Sequence, residues 1–337
     1  VKKPPQVNIS SKPQAVSLFS GCGGFDLGAR KAGIDIIWAN DIDSHAAAAY
    51  KKLLPDVDFH LGDIRKVREF PKADILIGCY PCTGFSQAAK RRSGENEEPR
   101  DLKANPGNFL FREFLRALRH VKPKFLIVEN VKGMLTASNG WFLERQLCGF
   151  RRHGFTVKAK LLMAADYGVP QLRQRVFLVG VHESVKNFDY EFPSPTHGPS
   201  GKQPWKVLRD VLTDGPLGAD DDYIKKPFHG HYLTRPRKKN WDEPSYTIVA
   251  HGSHVPLHPS GKKMISIGKD SYELQGTVNR RLSWRECAIL QGLPKRIKVP
   301  GGLMAKYRVI GNAVPPSLAR ALLKPIAEKL STKLISG

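Results

Sequence analysis

Carboxylates are the scarce charged type in this chain. Only 31 Asp and Glu stand against 54 Lys and Arg, leaving a formal charge of +23 over 337 residues. A surplus of that size favours a polyanion, most simply nucleic acid, and steers its approach. An anionic membrane surface would need an apolar or amphipathic anchor. No stretch approaches the ~20 apolar residues that cross a bilayer, and no signal-peptide core stands near the start. Cysteine is thin as well: five, at 22, 79, 82, 148 and 287, an odd and scattered set. That excludes a disulfide framework and a spaced zinc site, and it fits a reducing cytosol where a nucleophilic thiol persists. Internal repeats are absent.

What is present is alternation. Apolar segments at 15–19, 36–38, 57–61, 73–77 and 125–128 read as strands. Helical patterns at 25–32, 45–53 and 109–119 lie between them. That is the order of a doubly wound, mostly parallel sheet. Segments 157–164 and 176–181 read as a strand pair joined through Gln171–Arg175. After about residue 190 the periodicity is lost, and basic and aromatic residues interleave, as in Tyr232-Leu-Thr-Arg-Pro-Arg-Lys-Lys-Asn-Trp241. Helical pattern returns at 283–291 and 317–330. The expected organisation is a catalytic and cofactor-binding domain over 1–190, a smaller loop-rich domain over 191–302, and a segment, 303–337, that returns to the first.

Strand ends at the carboxyl edge of such a sheet are where ligands bind. Five of them carry chemistry. Phe19-Ser-Gly-Cys-Gly-Gly24, with Gly21, Cys22 and Gly23, opens a helix as a ligand-approach loop. The dinucleotide fingerprint G-x-G-x-x-G fails because Asp26 takes the last glycine's place, so a nucleoside without a pyrophosphate is the better fit. Asp41 and Asp63, at successive strand ends, suit a ribose hydroxyl and an adenine amino group. Cys82 follows Pro81 after the fourth strand. By itself it is as readily a small buried hydrophobe as a nucleophile. Glu129 ends the fifth strand, and an acid beside a thiol suits addition to a ring with protonation of its nitrogen. Arg173 and Arg175 add two guanidinium forks.

Taken in order, Phe19–Gly24, Asn40-Asp41, Gly62-Asp-Ile64, Pro81-Cys82, Glu129-Asn-Val131, Gln171-Leu-Arg-Gln-Arg175, Arg281-Leu-Ser-Trp-Arg-Glu286, Gln291-Gly-Leu-Pro294 and Gly311-Asn-Ala-Val314 resemble a DNA cytosine-5 methyltransferase of the bacterial modification type. The resemblance implies the Rossmann-like fold of S-adenosylmethionine-dependent methyltransferases with a target-recognition domain. It also implies methyl transfer from S-adenosylmethionine to C5 of a cytosine flipped out of duplex DNA. Cys82 would attack C6, Glu129 would hold and protonate N3, Arg175 would contact O2 and Arg173 the nearby backbone or catalytic loop. Phe19, Cys22, Asp41, Ile42, Asp63, Ile64, Pro81, Asn312 and Val314 would surround the cofactor. Three positions depart from the family: Thr83 where glutamine is common, Asp41 for glutamate, and Tyr80 for an apolar residue.

Target contacts are expected from Ser86 and from Arg235, Arg237, Lys238 and Lys239. The bland reading of this basic run is a solvated loop. Thr247 and Ile248 resemble the pair that relatives set beside the flipped nucleotide. Five histidines crowd the same region, with no cysteine among them, and no metal is expected. Asp220, Asp221 and Asp222 read as a solvated turn. A tRNA substrate and a catalytically inert DNA-binding scaffold are the alternatives. The basic insert between Arg175 and Arg281 argues against the first, and the joint presence of Cys82, Glu129 and Arg175 against the second. A monomer in the bacterial cytoplasm, associated with the nucleoid and either paired with a restriction endonuclease of the same site or acting as an orphan methylase, completes the expectation.

Overall fold

The computed structural model describes residues 12–81, 102–214, 222–228 and 230–335. Cys82, Thr83, Ser86, Asp220 and Asp221 lie outside the described residues. The strands are β1 (Gln14–Leu18), β2 (Asp35–Asp41), β3 (Asp58–Leu61), β4 (Ile75–Gly78), β5 (Phe125–Val131), β6 (Phe155–Met163), β7 (Gln171–Leu172), β8 (Gln174–His182), β9 (Ser245–Tyr246), β10 (Ile265–Gly268) and β11 (Ser271–Glu273). The helices are α1 (Gly24–Lys31), α2 (Ser44–Leu53), α3 (Phe111–Val121), α4 (Trp141–Arg152), α5 (Gly230–Leu233), α6 (Trp284–Leu290), α7 (Leu303–Asn312) and α8 (Pro316–Ile335).

Seven strands form one sheet in the order β3-β2-β1-β4-β5-β8-β6. The first five are parallel to their neighbours, whereas β8 is antiparallel to both β5 and β6. The sheet is therefore doubly wound and mostly parallel, as expected. The near-continuous apolar strands follow from burial on both faces. Ala15, Ile75, Ile77, Phe125 and Ile127 join the core beneath α1 and α8. Their alternating neighbours Val16, Leu18, Leu76, Leu126 and Val128 join the core beneath α3 and α4. A third cluster brings Cys22, Ala46 and Ala49 together with Ile248, Trp284, Tyr307 and Ile310.

Several elements differ from the sequence expectations. Strand β5 does not stop at Val128. Its ladder with β8 continues to Val131 opposite Arg175, so Glu129 and Asn130 sit on the strand rather than after it. Helices α4 and α7 and the β10–β11 hairpin are additions. Asp222 is not a solvated turn residue: it is buried and accepts from the Trp284 indole at 2.7 Å and the Arg285 guanidinium at 2.6 Å. Cys287 is fully buried, but Cys148 is only half-buried.

One charged group lies in the core itself. Asp26, fully buried on α1, accepts from Ser17 Oγ on β1 and Tyr50 Oη on α2, both at 2.7 Å. Burial raises its pKa to about 6. Its folded value lies above the unfolded one, so the native state binds the extra proton. Its stabilising share is full below about pH 4 and lost as pH rises through about 6. Asp26→Asn keeps both hydroxyl partners in reach and removes that titration. Relative to the parent, the variant should gain about 2 kcal/mol between pH 4 and pH 7, measured by urea denaturation across that range. A difference independent of pH would contradict the buried-carboxyl account.

Candidate active site

Parallel register puts the chemistry in one place. His60 pairs with Asn40, Asn40 with Leu18, Leu18 with Gly78, Gly78 with Val128, and Val128 with Leu178. This single row crosses six strands at about 4.8 Å per step. One residue beyond it, at the carboxyl edge, stand Leu61, Asp41, Phe19, Cys79 and Glu129. The glycine loop, the approach to Cys82 and the Glu129 strand end are therefore neighbours by construction.

The glycine loop is shaped by Asp41. One carboxylate oxygen accepts from Gly21 N and the other from Asp43 N, both at 2.8 Å. Burial raises the Asp41 pKa, and those backbone donors oppose the rise. Phe19 is held left-handed, with φ of 56°, a strained conformation for a bulky residue. Its ring meets Tyr80 edge-on with centroids 6.1 Å apart. A Cβ on Gly21 would meet nothing within 4 Å, so this side of the loop is open, whereas one on Gly24 would lie 2.3 Å from Val314 O. Val314 and Ile64 are buried, Asn312 and Pro81 are exposed, and Ile42 presents 68% of its surface. Asp63 accepts from Arg65 Nε at 2.9 Å, which draws its pKa down to about 2. The Cys22 thiol is pushed up to about 12 by burial, and Cys79 also lies well above the usual thiol value, by burial and then the Glu129 charge. Neither thiol is a nucleophile at neutral pH.

At the opposite side of the edge, Arg175 Nε lies 3.0 Å from Glu129 Oε1, both side chains being mostly buried. Asn130 Nδ2 donates to Tyr80 O at 3.4 Å, tying the segment just before Cys82 to β5. Tyr80 donates from its hydroxyl to Gln146 Oε1, so the tyrosine that departs from the family braces this turn against α4.

Arg173 does not join Glu129 and Arg175. Its guanidinium is buried and donates to Ile248 O at 3.0 Å and to Gly311 O at 3.2 Å. Burial pulls its pKa well down, yet a guanidinium paired with carbonyls keeps its charge. Beside it, Gln171 Nε2 donates to Leu290 O at 3.1 Å and Gln291 Oε1 at 2.9 Å, and its own Oε1 accepts from Ile248 N at 2.8 Å. Gln291 Nε2 in turn donates to Ile310 O at 2.9 Å and Ala313 O at 3.1 Å. Thr247 Oγ1 donates to Leu172 O at 2.7 Å, and β9 pairs in parallel with β7. Thr247 and Ile248 are thus fastened to the Gln171–Arg175 strand. Residue spacing carries no signal for this seam beyond the role the resemblance implies for Arg173, because the partners of Gln171 and Arg173 are 75 or more residues away and mostly backbone.

The basic run divides. Lys238 Nζ donates to Asn279 Oδ1 at 3.0 Å, and Lys239 Nζ lies 2.6 Å from Glu243, so both have partners inside the region. Arg235 and Arg237 are half-buried. His251 and His254 stack with ring centroids 4.5 Å apart. His258 is buried against Trp241, and burial lowers its pKa to about 4. Among the described residues no three potential metal ligands converge, and no helix is long and apolar enough to cross a membrane.

Residues 14–328 match the model of the C-5 cytosine-specific DNA methylases, and the chain belongs to that family. It is a DNA (cytosine-5) methyltransferase. Among curated relatives it is 38% identical to the type II methyltransferase M.BsuRI of Bacillus subtilis, over 94% of this chain and 80% of that one. It is 37% identical to M.FnuDI of Fusobacterium nucleatum, over 94% and 95%. The fold matches the methyltransferase EhMeth of Entamoeba histolytica with a TM-score of 0.67 at 14% identity, covering 96% and 99% of the two chains.

The buried seam predicts a stability effect separate from chemistry. Gln171→Leu leaves the Ile248 N–H and the Leu290 carbonyl unpaired in the interior. It should lower unfolding stability by about 2–4 kcal/mol, read from urea denaturation. A loss below ~0.5 kcal/mol would mean the seam is hydrated.

Proposed function

We propose that the enzyme methylates C5 of a cytosine swung out of a specific duplex sequence, through a covalent bond between Cys82 Sγ and C6. A stacked base cannot be reached, so the cytosine must leave the helix. The Cys82 thiolate adds to C6 while Glu129 delivers a proton to N3, which places electron density on C5. After C5 gains its methyl group a base removes the C5 proton, the Cys82–C6 bond breaks by elimination and N3 returns its proton to Glu129, restoring the thiolate, the carboxylate and the aromatic ring. Arg175 shares Glu129's carboxylate and faces the base O2, and Arg173 acts at one remove by holding the backbone at Ile248 and Gly311. The observation that carries this reading is the partly buried Glu129–Arg175 pair at 3.0 Å, one residue beyond the row that also ends at Gly78, four residues before Cys82.

The open face of Gly21, the exposed Ile42 and the Asp41 carboxylate fit a nucleoside, and S-adenosylmethionine is the methyl donor of this reading. When bound, it supplies an electrophilic methyl on a sulfonium. Asp41 would take the ribose, Asp63 the adenine amino group after parting from Arg65, with Phe19, Gly23, Cys22, Ile64, Pro81, Asn312 and Val314 around them. Residues 1–190 and 303–337 would form the catalytic unit and 191–302 the recognition domain. Arg235, Arg237, Thr247 and Ile248 of that domain, with Ser86 of the catalytic unit, would contact the duplex. Lys238 and Lys239 would have to exchange their internal partners to do so. The type II designation of the curated relatives supports a modification role paired with an endonuclease of the same site.

Two substitutions test the chemistry. Cys82→Ser should abolish tritiated methyl incorporation while cofactor binding by calorimetry stays within about twofold, because a serine hydroxyl is far less ionised than a thiol at neutral pH. Substantial turnover would remove Cys82 from its role. Glu129→Gln should bind DNA but lose roughly 10²-fold or more in kcat, since an amide cannot deliver the proton. A loss of only a few-fold would reduce Glu129 to positioning the base.

A further inference from the structure

The surplus positive charge is not confined to the reaction edge. A cleft of about 460 Å³ lies between the C-terminal end of α2 and the 294–298 segment, with Lys51, Lys52, Arg296 and Lys298 among its walls and Leu53 and Ile297 as apolar lining. No acidic side chain lines it among the described residues. The four cations are exposed. Helix α2 starts just past Asp41 and runs back along the sheet, and His45 near its start sits against Gly301. Lys52 therefore lies roughly 12 Å down the helix axis from Ser44, at 1.5 Å per residue, away from the carboxyl edge. Two lysines in the last turn of a helix complement its dipole and need no ligand. Arg296 and Lys298 have no such explanation. They come from a separate loop whose buried Ile297 and Val299 hold it against α2, so four cations gather around one cleft with no counter-charge among the described residues lining it.

We propose that this cleft binds the phosphodiester backbone of a second DNA segment, separate from the one holding the target cytosine. Only the identity of the polyanion rests on the methyltransferase reading; the convergence of charge does not. A straight duplex seated at the carboxyl edge does not also run down the outside of α2. Occupancy would therefore come from a distant stretch of the same molecule or from another duplex. Such a site would let the enzyme hold one segment while sampling the next.

The test uses the full chain and a Lys52→Ala, Arg296→Ala, Lys298→Ala variant. Each protein is saturated with a short duplex carrying one target, and binding of a labelled duplex without a target is then measured across salt concentrations. The variant should bind the labelled duplex at least about tenfold more weakly, with a log–log salt slope shallower by about 2.7, corresponding to three released phosphate contacts. Its kcat and KM on the short target duplex should be unchanged. Lys298→Glu alone, checked by a melting curve, should act in the same direction and settle the matter if the triple variant unfolds. Equal binding of the labelled duplex by parent and variant overturns the proposal. A matching loss on the short target duplex overturns it too, by assigning the cations to the target grip. Displacement by inorganic phosphate or a mononucleotide as effectively as by duplex would make it a small-anion site instead. Charge-dependent second-duplex binding in a protein that transfers no methyl groups would leave the cleft standing and the methyltransferase mechanism refuted.

Discussion

Polar groups buried far from water are costly unless paired, and this structure depends on one arrangement that pairs nearly all of its own, Arg173 Nε excepted. Gln171, Arg173 and Gln291 lie entirely within the protein. Between them they satisfy the backbone at Ile248, Leu290, Ile310, Gly311 and Ala313. The groups they bind come from the middle of the basic region, the end of α6 and the end of α7, and Gln171 and Arg173 themselves from β7 and its junction with β8. Apolar contact could bring those segments together, but it would not fix their register, because it has no direction. Hydrogen bonds from planar amides and a guanidinium do fix it. The seam sets where Thr247 and Ile248 stand relative to Arg175, and where Asn312 and Val314 stand relative to the glycine loop.

The rest of the site follows from strand register. A parallel sheet offers one edge at which all strands end in the same sense, and the row from His60 to Leu178 aligns them to within a residue. The loops can then carry different chemistry without separate devices to bring them together. The antiparallel β8 is the exception, and it matters for that reason. It runs back past the edge and brings Arg175 across from Val131, diagonal to Glu129. A parallel strand in that place would end at the edge, where Arg175 instead begins the strand.

Legibility tracked locality. Strands β1, β2, β4 and β5 were readable from short apolar runs, and helix α6 from its pattern; Ser283 and Glu286 cap its start reciprocally. The same runs exposed Asp41, Asp63 and Glu129, because each is the first polar residue after an apolar strand or close to it. What escaped depends on distant partners. Asp222 resembled any exposed acidic turn until Trp284 and Arg285, more than sixty positions later, were seen to surround it. By residue type and spacing alone Arg173 and Arg175 cannot be told apart, and only the resemblance separates them; Arg173 falls between β7 and β8 and Arg175 on β8. Yet the first turns inward to carbonyls and the second stands beside Glu129. Lys238 and Lys239 looked like phosphate ligands because Asn279 and Glu243 were not visible as their partners.

Gly311 marks where two stretches of main chain touch with nothing between them. A Cβ there would fall 2.4 Å from the Val249 carbonyl carbon and 2.5 Å from Ala250 N. Contact of this kind behaves as a fitted joint rather than a greased one: a change of side chain on either partner cannot loosen it, and a single methyl would prise it apart. Grafting a foreign basic region into this scaffold therefore has a narrow choice of splice points. The donor must be joined upstream of Ser245 and re-enter downstream of Ala250, leaving that short native stretch in place. Otherwise the chimaera must import the glycine, the arginine and both glutamines as one set.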